Sequence, residues 1–179
     1  MIAHDHKTAL LQGTKSAGNS AAGVLEKSET KNIYLHPGMT YASREPASLT
    51  FIVGSSVAVC AHDHRLSIGG ATHYLLPNSE GRPSTRSGEI AILLLLHELR
   101  QAGSQDADLR AEIYGGARLL AGSQPCSAPQ VGERNVQLAL ETLSRESIAI
   151  ARIDTGGNLG RKVAMRTDTG EISFRVIGH

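Results

Sequence analysis

The chain has no tryptophan and few aromatic residues of any kind, 3% of the total, so its interior has to be assembled from Leu, Ile, Val and Ala rather than from large rings. Basic clusters interleaved with aromatics are missing too. With a formal charge of +1 and both signs interspersed, there is no stripe of the kind a nucleic-acid groove requires, and no nucleic-acid partner is expected. The longest wholly apolar run, Ile90 to Leu96, has seven residues, against roughly 20 for a membrane-spanning helix. The chain is therefore not expected to be membrane-embedded. Two cysteines, Cys60 in an apolar segment and Cys126 in a Pro/Ser-rich one, are too few for a disulfide framework. The N-terminus lacks a basic segment leading into a sustained apolar stretch, which argues against a secretory signal. A cytoplasmic setting is expected.

What is present fits one domain: 179 residues with 40% apolar content can bury a core of ordinary size. Residues 1–30, rich in Ser, Gly, Ala, Lys and Thr without hydrophobic periodicity, read as a flexible extension, and residues 31–179 as the folded domain. Within it, "NIYLHPGMTYA" offers a short apolar segment and a Pro-Gly turn. "ASLTFIVGSSVAVCAHD" reads as two buried strands joined at Gly54-Ser55. A further strand in "LSIGGATHYLLP" precedes "EIAILLLLHELRQAG", whose good helix formers and all-round apolarity predict a central helix packed on a sheet. "LRAEIYGGARLL" predicts a strand that breaks at Gly115-Gly116. In "GERNVQLALETLSRE", Val136, Ala139, Leu140 and Leu143 share one helical face. The C-terminal third alternates strands with the loop "TGGNLG" and the turn "TDTG", where Gly170 can take a positive φ. Strands, helices and hairpins mixed in this way predict an α/β or α+β sandwich, a layered mixed sheet with packed helices.

Chemistry concentrates at "GSSVAVC" and "GGATHYLLP". A hydroxyl at a sharp turn is exposed on one side and held on the other, and His73, 17 residues after Ser56, could take its proton from a neighbouring strand. Spacing alone leaves Ser56 open as a nucleophile, a disarmed nucleophile or a turn residue. Cys60 lies about 13 Å farther along the strand at ~3.3 Å per residue, too far to share His73, and reads as a small buried apolar residue. "HDH" at His4–His6 and His62–His64 lacks a third ligand fixed by spacing, so solvated residues are expected there and no metal site. Neither "GGATH" nor "TGGNLG" has a phosphate-loop pattern, and no cofactor is expected. Asp154, Asn158 and Arg161 either line a substrate groove or form an ion pair that pins their loop. Arg134 and Asn135 share that ambiguity, with Asn135 also readable as a helix N-cap.

Read together, "YLHPGMTY", "SLTFIVGSSVAVCAHD", "IGGATHYLLP", "AEIYGGARLL", "VGERNV" and "DTGGNLGRKV" resemble, in order, the sequence blocks of the CheD family of bacterial chemoreceptor glutamine deamidases. That resemblance implies a sandwich like the catalytic domain of cytotoxic necrotizing factor toxins. It also implies a Cys–His–Thr catalytic set, whose His falls on His73 and whose Thr falls on Thr50. The family's nucleophilic Cys falls on Ser56, so the chain either carries a replaced nucleophile or is a member with altered chemistry. Gly54 and Ser55 would then stand beside the reacting group, with Asp154, Asn158 and Arg161 toward the substrate. The implied reaction is hydrolysis of Gln side chains to Glu in methyl-accepting chemotaxis receptors, and a CheC-type phosphatase is the implied second partner. With a hydroxyl at position 56 the chain is expected to be inactive or impaired, and a non-catalytic binding module is the alternative. Two further departures from the family pattern, Ser87 in place of an aromatic and Glu112 in place of Lys, bear on partner surfaces.

Overall fold

A computed structural model describes residues 30–78, 83–118 and 130–177. The expected N-terminal extension, apart from Thr30, lies outside the described residues, as do the first "HDH" and Cys126. The chain runs β1 (Lys31–Tyr34), β2 (Thr40–Ser43), β3 (Ala47–Val53), β4 (Val57–Asp63), β5 (Ile68–Tyr74), α1 (Gly88–Gln101), β6 (Leu109–Gly115), α2 (Val131–Arg145), β7 (Ala149–Thr155), β8 (Gly160–Arg166) and β9 (Ile172–Ile177). These form two sheets, a four-stranded one in the order β1-β3-β8-β9 and a five-stranded one in the order β2-β5-β4-β6-β7. β1 runs parallel to β3 and β6 parallel to β7, and the remaining pairs are antiparallel. The expected layered mixed-sheet sandwich is thus present.

Side-chain alternation explains how the layers stack. Leu49, Phe51 and Val53 of β3 and Val163 and Met165 of β8 meet Ala58 and Cys60 of β4, Ala71 of β5 and Tyr114 of β6 in one core between the sheets. The opposite face of the five-stranded sheet presents Val57, Val59, Ala61, Ile68, Tyr74, Leu109, Ala111 and Ile113 to the helices. α1 answers with Ala91, Ile92, Leu95, Leu96 and Leu99, and α2 with Ala139 and Leu143. β4, like β5 beside it, is sandwiched on both sides, and all seven of its residues are buried. That demands a continuous apolar run instead of the two-residue alternation of a half-exposed strand. β3, expected to be buried throughout, is buried on one face only; Ser48, Thr50 and Ile52 point away from the core because the described residues place no layer over that side.

Two expectations at strand ends need correction or refinement. The second "HDH", expected to be solvated, puts His62 and Asp63 in the interior at 5% and 0% exposure and leaves only His64 outside. The covering of β4 reaches its last residue, and the Asp63 carboxylate accepts the backbone N–H groups of Arg65 and Leu66, shaping the turn into β5. The β8–β9 hairpin turns as expected, with Gly170 at φ 71°.

β3 and β4 are consecutive in the chain yet belong to different sheets. Residues 54–56 make the whole step between layers, and the end of β6 clamps them there: Gly116 N–H donates to the Ser56 carbonyl at 2.9 Å and Ala117 N–H to that of Gly54 at 2.7 Å. Gly115 sits at φ 113°, and a Cβ on it would strike the Ser56 carbonyl oxygen. Gly115→Ala is expected to cost about 1–3 kcal/mol in backbone strain before any clash is counted. Equilibrium denaturation of the full chain measures it.

Candidate active site

The layer-crossing turn delivers Ser56 to the end of β5. Ser56 Oγ lies 2.9 Å from His73 Nε2, the two residues being 9% and 1% exposed. His73 stands on the face of β5 that looks toward the four-stranded sheet, with its ring 6.2 Å from that of Phe51. Its other ring nitrogen, Nδ1, lies 3.2 Å from the Leu35 carbonyl oxygen. A carbonyl only accepts, so Nδ1 carries the proton and Nε2 offers its lone pair to the Ser56 hydroxyl. Burial lowers the His73 pKa below its ordinary value; the bond to Leu35 opposes this shift and the nearby His36 adds to it. A neutral imidazole with its free nitrogen against a hydroxyl is poised as a proton acceptor.

The remaining candidates fall into two groups. Gly54 and Ser55 adjoin Ser56 in the turn, as the sequence requires. Thr50 does not touch His73: it projects from the outer face of β3, opposite Tyr34 and Ala164. Its carbonyl instead accepts the Leu35 N–H at 2.8 Å, which puts Thr50 one link behind the atom that holds the histidine. The direct support is the main-chain carbonyl of Leu35, and no side-chain pattern could have announced it.

Arg161 and Asp154 form an ion pair at 2.5 Å, and the same guanidinium donates to the carbonyls of Gly156 at 3.0 Å and Leu159 at 3.3 Å. With Arg161 only 8% exposed, the loop-pinning reading describes this pair. The pinned loop reaches the turn through the end of β6, because Gly156 N–H donates to the Gly115 carbonyl and Arg118 N–H to that of Gly157. Asn158 is exposed and lines a cleft of about 260 Å³ together with Gly116, Ala117, Gly132 and Glu133. Asn135 corrects another expectation. It is not an N-cap, since Gln130 holds that position and Asn135 lies fully buried within α2. Cys60 is buried as expected, and desolvation drives its thiol far above the usual range. Among the described residues no three His, Cys, Asp or Glu side chains gather as a metal site, and no helix is long and apolar enough to cross a membrane.

Comparison with known proteins adds the lineage. The family model described as "CheD chemotactic sensory transduction" matches residues 75–176. The chain is 39% identical over 147 residues to the "Probable chemoreceptor glutamine deamidase CheD" of Trichlorobacter lovleyi, an alignment covering 81% of this chain and 90% of that protein. This chain belongs to the CheD family. A protein of the same name from Sulfurimonas denitrificans is 33% identical over 151 residues, covering 83% of this chain and 96% of its own length. A "Probable chemoreceptor glutamine deamidase CheD 1" from Anaeromyxobacter dehalogenans is 37% identical over 139 residues, 77% of this chain and 80% of its own. The CheD family model begins two residues after His73 and so omits the Ser56–His73 pair. A contiguous stretch of 81% of 179 residues, by contrast, cannot leave out positions 50 to 73.

The depressed basicity of His73 has a measurable consequence. Above about pH 6.5 the ring is neutral in both folded and unfolded chains; as the pH falls, the unfolded ring binds its proton first and folding stability is lost. Unfolding free energy is therefore expected to fall from about pH 7 toward 5, and His73→Gln to reduce that slope. His62, whose pKa burial also lowers, leaves a residual slope in the variant. Denaturant titrations across that range check both points.

Proposed function

We propose that the Ser56–His73 pair is the reaction centre of a chemoreceptor glutamine deamidase acting on the cytoplasmic helical region of methyl-accepting chemotaxis receptors. The observation that carries this reading is the 2.9 Å contact between Ser56 Oγ and His73 Nε2, with the ring's other nitrogen tied to Leu35. The names of the CheD relatives supply the substrate class. In the full reaction a group at position 56 attacks the carboxamide carbon of a receptor Gln while His73 accepts its proton. The imidazolium then protonates the departing nitrogen, the C–N bond breaks and ammonia leaves. Water, deprotonated by the same imidazole, hydrolyses the ester or thioester and releases Glu. N–H groups of the Gly54–Ser56 turn are the proposed donors to the developing oxyanion. Thr50 is assigned a supporting role through Leu35, and Asp154 and Arg161 the role of holding the substrate-side loop that carries Asn158. Neither a metal nor a cofactor enters this scheme.

The end of the sandwich that bears the pair also suits a protein substrate. Exposed Tyr34 at the end of β1, Met39 before β2, Leu76 after β5, Ile52 near the end of β3, Leu159 before β8 and Val176 near the end of β9 all belong to it. Apolar side chains gathered at one end mark an interaction surface more often than scattered ones do. A receptor helix, or a CheC-type phosphatase offering a similar surface, is the proposed occupant.

A hydroxyl at position 56 limits the chemistry. A thiol with a free pKa of about 8.5 can ionise before attack, whereas a hydroxyl must lose its proton during it. The chain as written is therefore proposed to be inactive or strongly impaired, which also sustains the second reading, a module that binds receptor without turning it over. Incubation of this chain and its Ser56→Cys variant with receptor fragments, with Gln-to-Glu conversion followed by peptide mass spectrometry, separates the readings. The variant is expected to deamidate at least 10²-fold faster than the parent, and adding His73→Ala to it to remove about 10²–10⁴-fold of that rate. Comparable turnover by the serine form would refute the impairment; binding without turnover in both would favour the module.

A further inference from the structure

Asn135 is the buried polar residue of α2 with the most to explain. It is fully enclosed, and its side-chain amide nitrogen donates to two main-chain carbonyls, Ser55 at 3.0 Å and Leu75 at 2.9 Å. One acceptor immediately precedes Ser56; the other lies two residues beyond His73. Tyr74, which follows His73 directly, donates its hydroxyl to the main-chain carbonyl of Asn135 at 2.7 Å. A single residue of α2 is thus bonded to the chain on the shoulder of each member of the pair.

The amide's orientation is forced. Turned over, its oxygen would face two carbonyl oxygens with no proton between them, so nitrogen has to point at the turn. The consequence is an unfavourable one for folding: Asn135 Oδ1 is left buried without a hydrogen-bond partner. An apolar side chain of similar shape would remove that deficit but would also take the amide donor away from the Ser55 and Leu75 carbonyls, so what the buried amide contributes here is those two bonds.

We infer that Asn135 is a positioning residue, a strut that fixes the separation of the group at position 56 from His73 by holding the Ser55 and Leu75 carbonyls on one amide. This rests on the proposed deamidase reading. Without the strut the Gly54–Ser56 turn is still clamped by Gly116 and Ala117 from the β6 side and still enters β4, whose Val57 pairs with Tyr74 of β5, but the Ser55 carbonyl, on the other side of Ser56, loses its tie to Leu75. A reacting group displaced by about 1 Å loses on the order of 10²-fold in rate.

The test uses the full chain carrying Ser56→Cys and needs no receptor. Iodoacetamide alkylation at position 56 is followed by peptide mass spectrometry as a function of pH, and the midpoint reports thiolate formation beside His73. Asn135→Leu is expected to raise that midpoint and to slow alkylation at pH 7 by about tenfold or more. Leu140→Ala, a truncation on the same helix away from the turn, is expected to lower the melting temperature while leaving the alkylation profile in place. Should Asn135→Leu fail to fold, Asn135→Ser, smaller and able to serve only one carbonyl, is expected to shift the profile in the same direction by less. An unchanged profile in the Asn135 variant that folds, or an equal shift in Leu140→Ala, overturns the inference alone. A parent midpoint at the ordinary thiol value of ~8.5 sinks the deamidase reading and the strut together.

Discussion

The step of three residues from Val53 to Val57 is the constraint on which the molecule turns. It carries the chain from one sheet to the other, so the two layers cannot slide without moving Ser56. Everything nearby is arranged to keep that step in place. Gly115 and Gly116 press main chain against it from the end of β6, and Asn135 holds it from α2. A longer linker would have let the sheets pack equally well. It would not have fixed one hydroxyl 2.9 Å from one imidazole.

The imidazole of His73 is tuned by the same packing. His73 belongs to a strand covered on both faces, and the burial that stabilises the sandwich is what lowers the affinity of its ring for a proton. Folding and protonation are coupled there: the core that favours the neutral ring also leaves its Nε2 free to accept. The electrostatics on the opposite side of the site are of a plainer kind. Arg161 pairs with Asp154 and turns one amino group of its guanidinium to two loop carbonyls, so the charge there shapes a loop.

Much of the architecture could be read in the sequence because its signals are local. The apolar segments "SLTFIV" and "VAVCA", the glycine pair ending β6 and the shared face of Val136, Ala139, Leu140 and Leu143 each depend on near neighbours, and each names its element correctly. Spacing left Ser56 and His73 as one open reading among three, and the family resemblance singled them out; the structure brings the two side chains together. What escaped is long-range. That β3 and β4 part into separate sheets follows from pairings with β8 and β5 far along the chain, and with it went the single-sided burial of β3 and the outward aim of Thr50. His62 and Asp63 read as polar strand-end residues, because nothing near them in sequence tells that β4 stays covered to its last position. Asn135 has the residue type of a cap and the position of a core tie, and only the packing of α2 on the turn separates the two.

The carbonyl of Leu35 differs in kind from the two side chains of the pair, because the atom that orients the histidine belongs to the backbone and exists whatever side chain stands at that position. Mutational drift can therefore alter residue 35 and leave the imidazole's tautomer unchanged, so long as the segment that follows β1 keeps its path beside β5. The atom that faces the ring has no such insurance, since exchanging one side-chain atom at position 56 changes its identity outright. The two halves of the pair therefore differ in how a single substitution reaches them: one at position 35 leaves the acceptor for Nδ1 in place, whereas one at position 56 replaces the atom that faces Nε2.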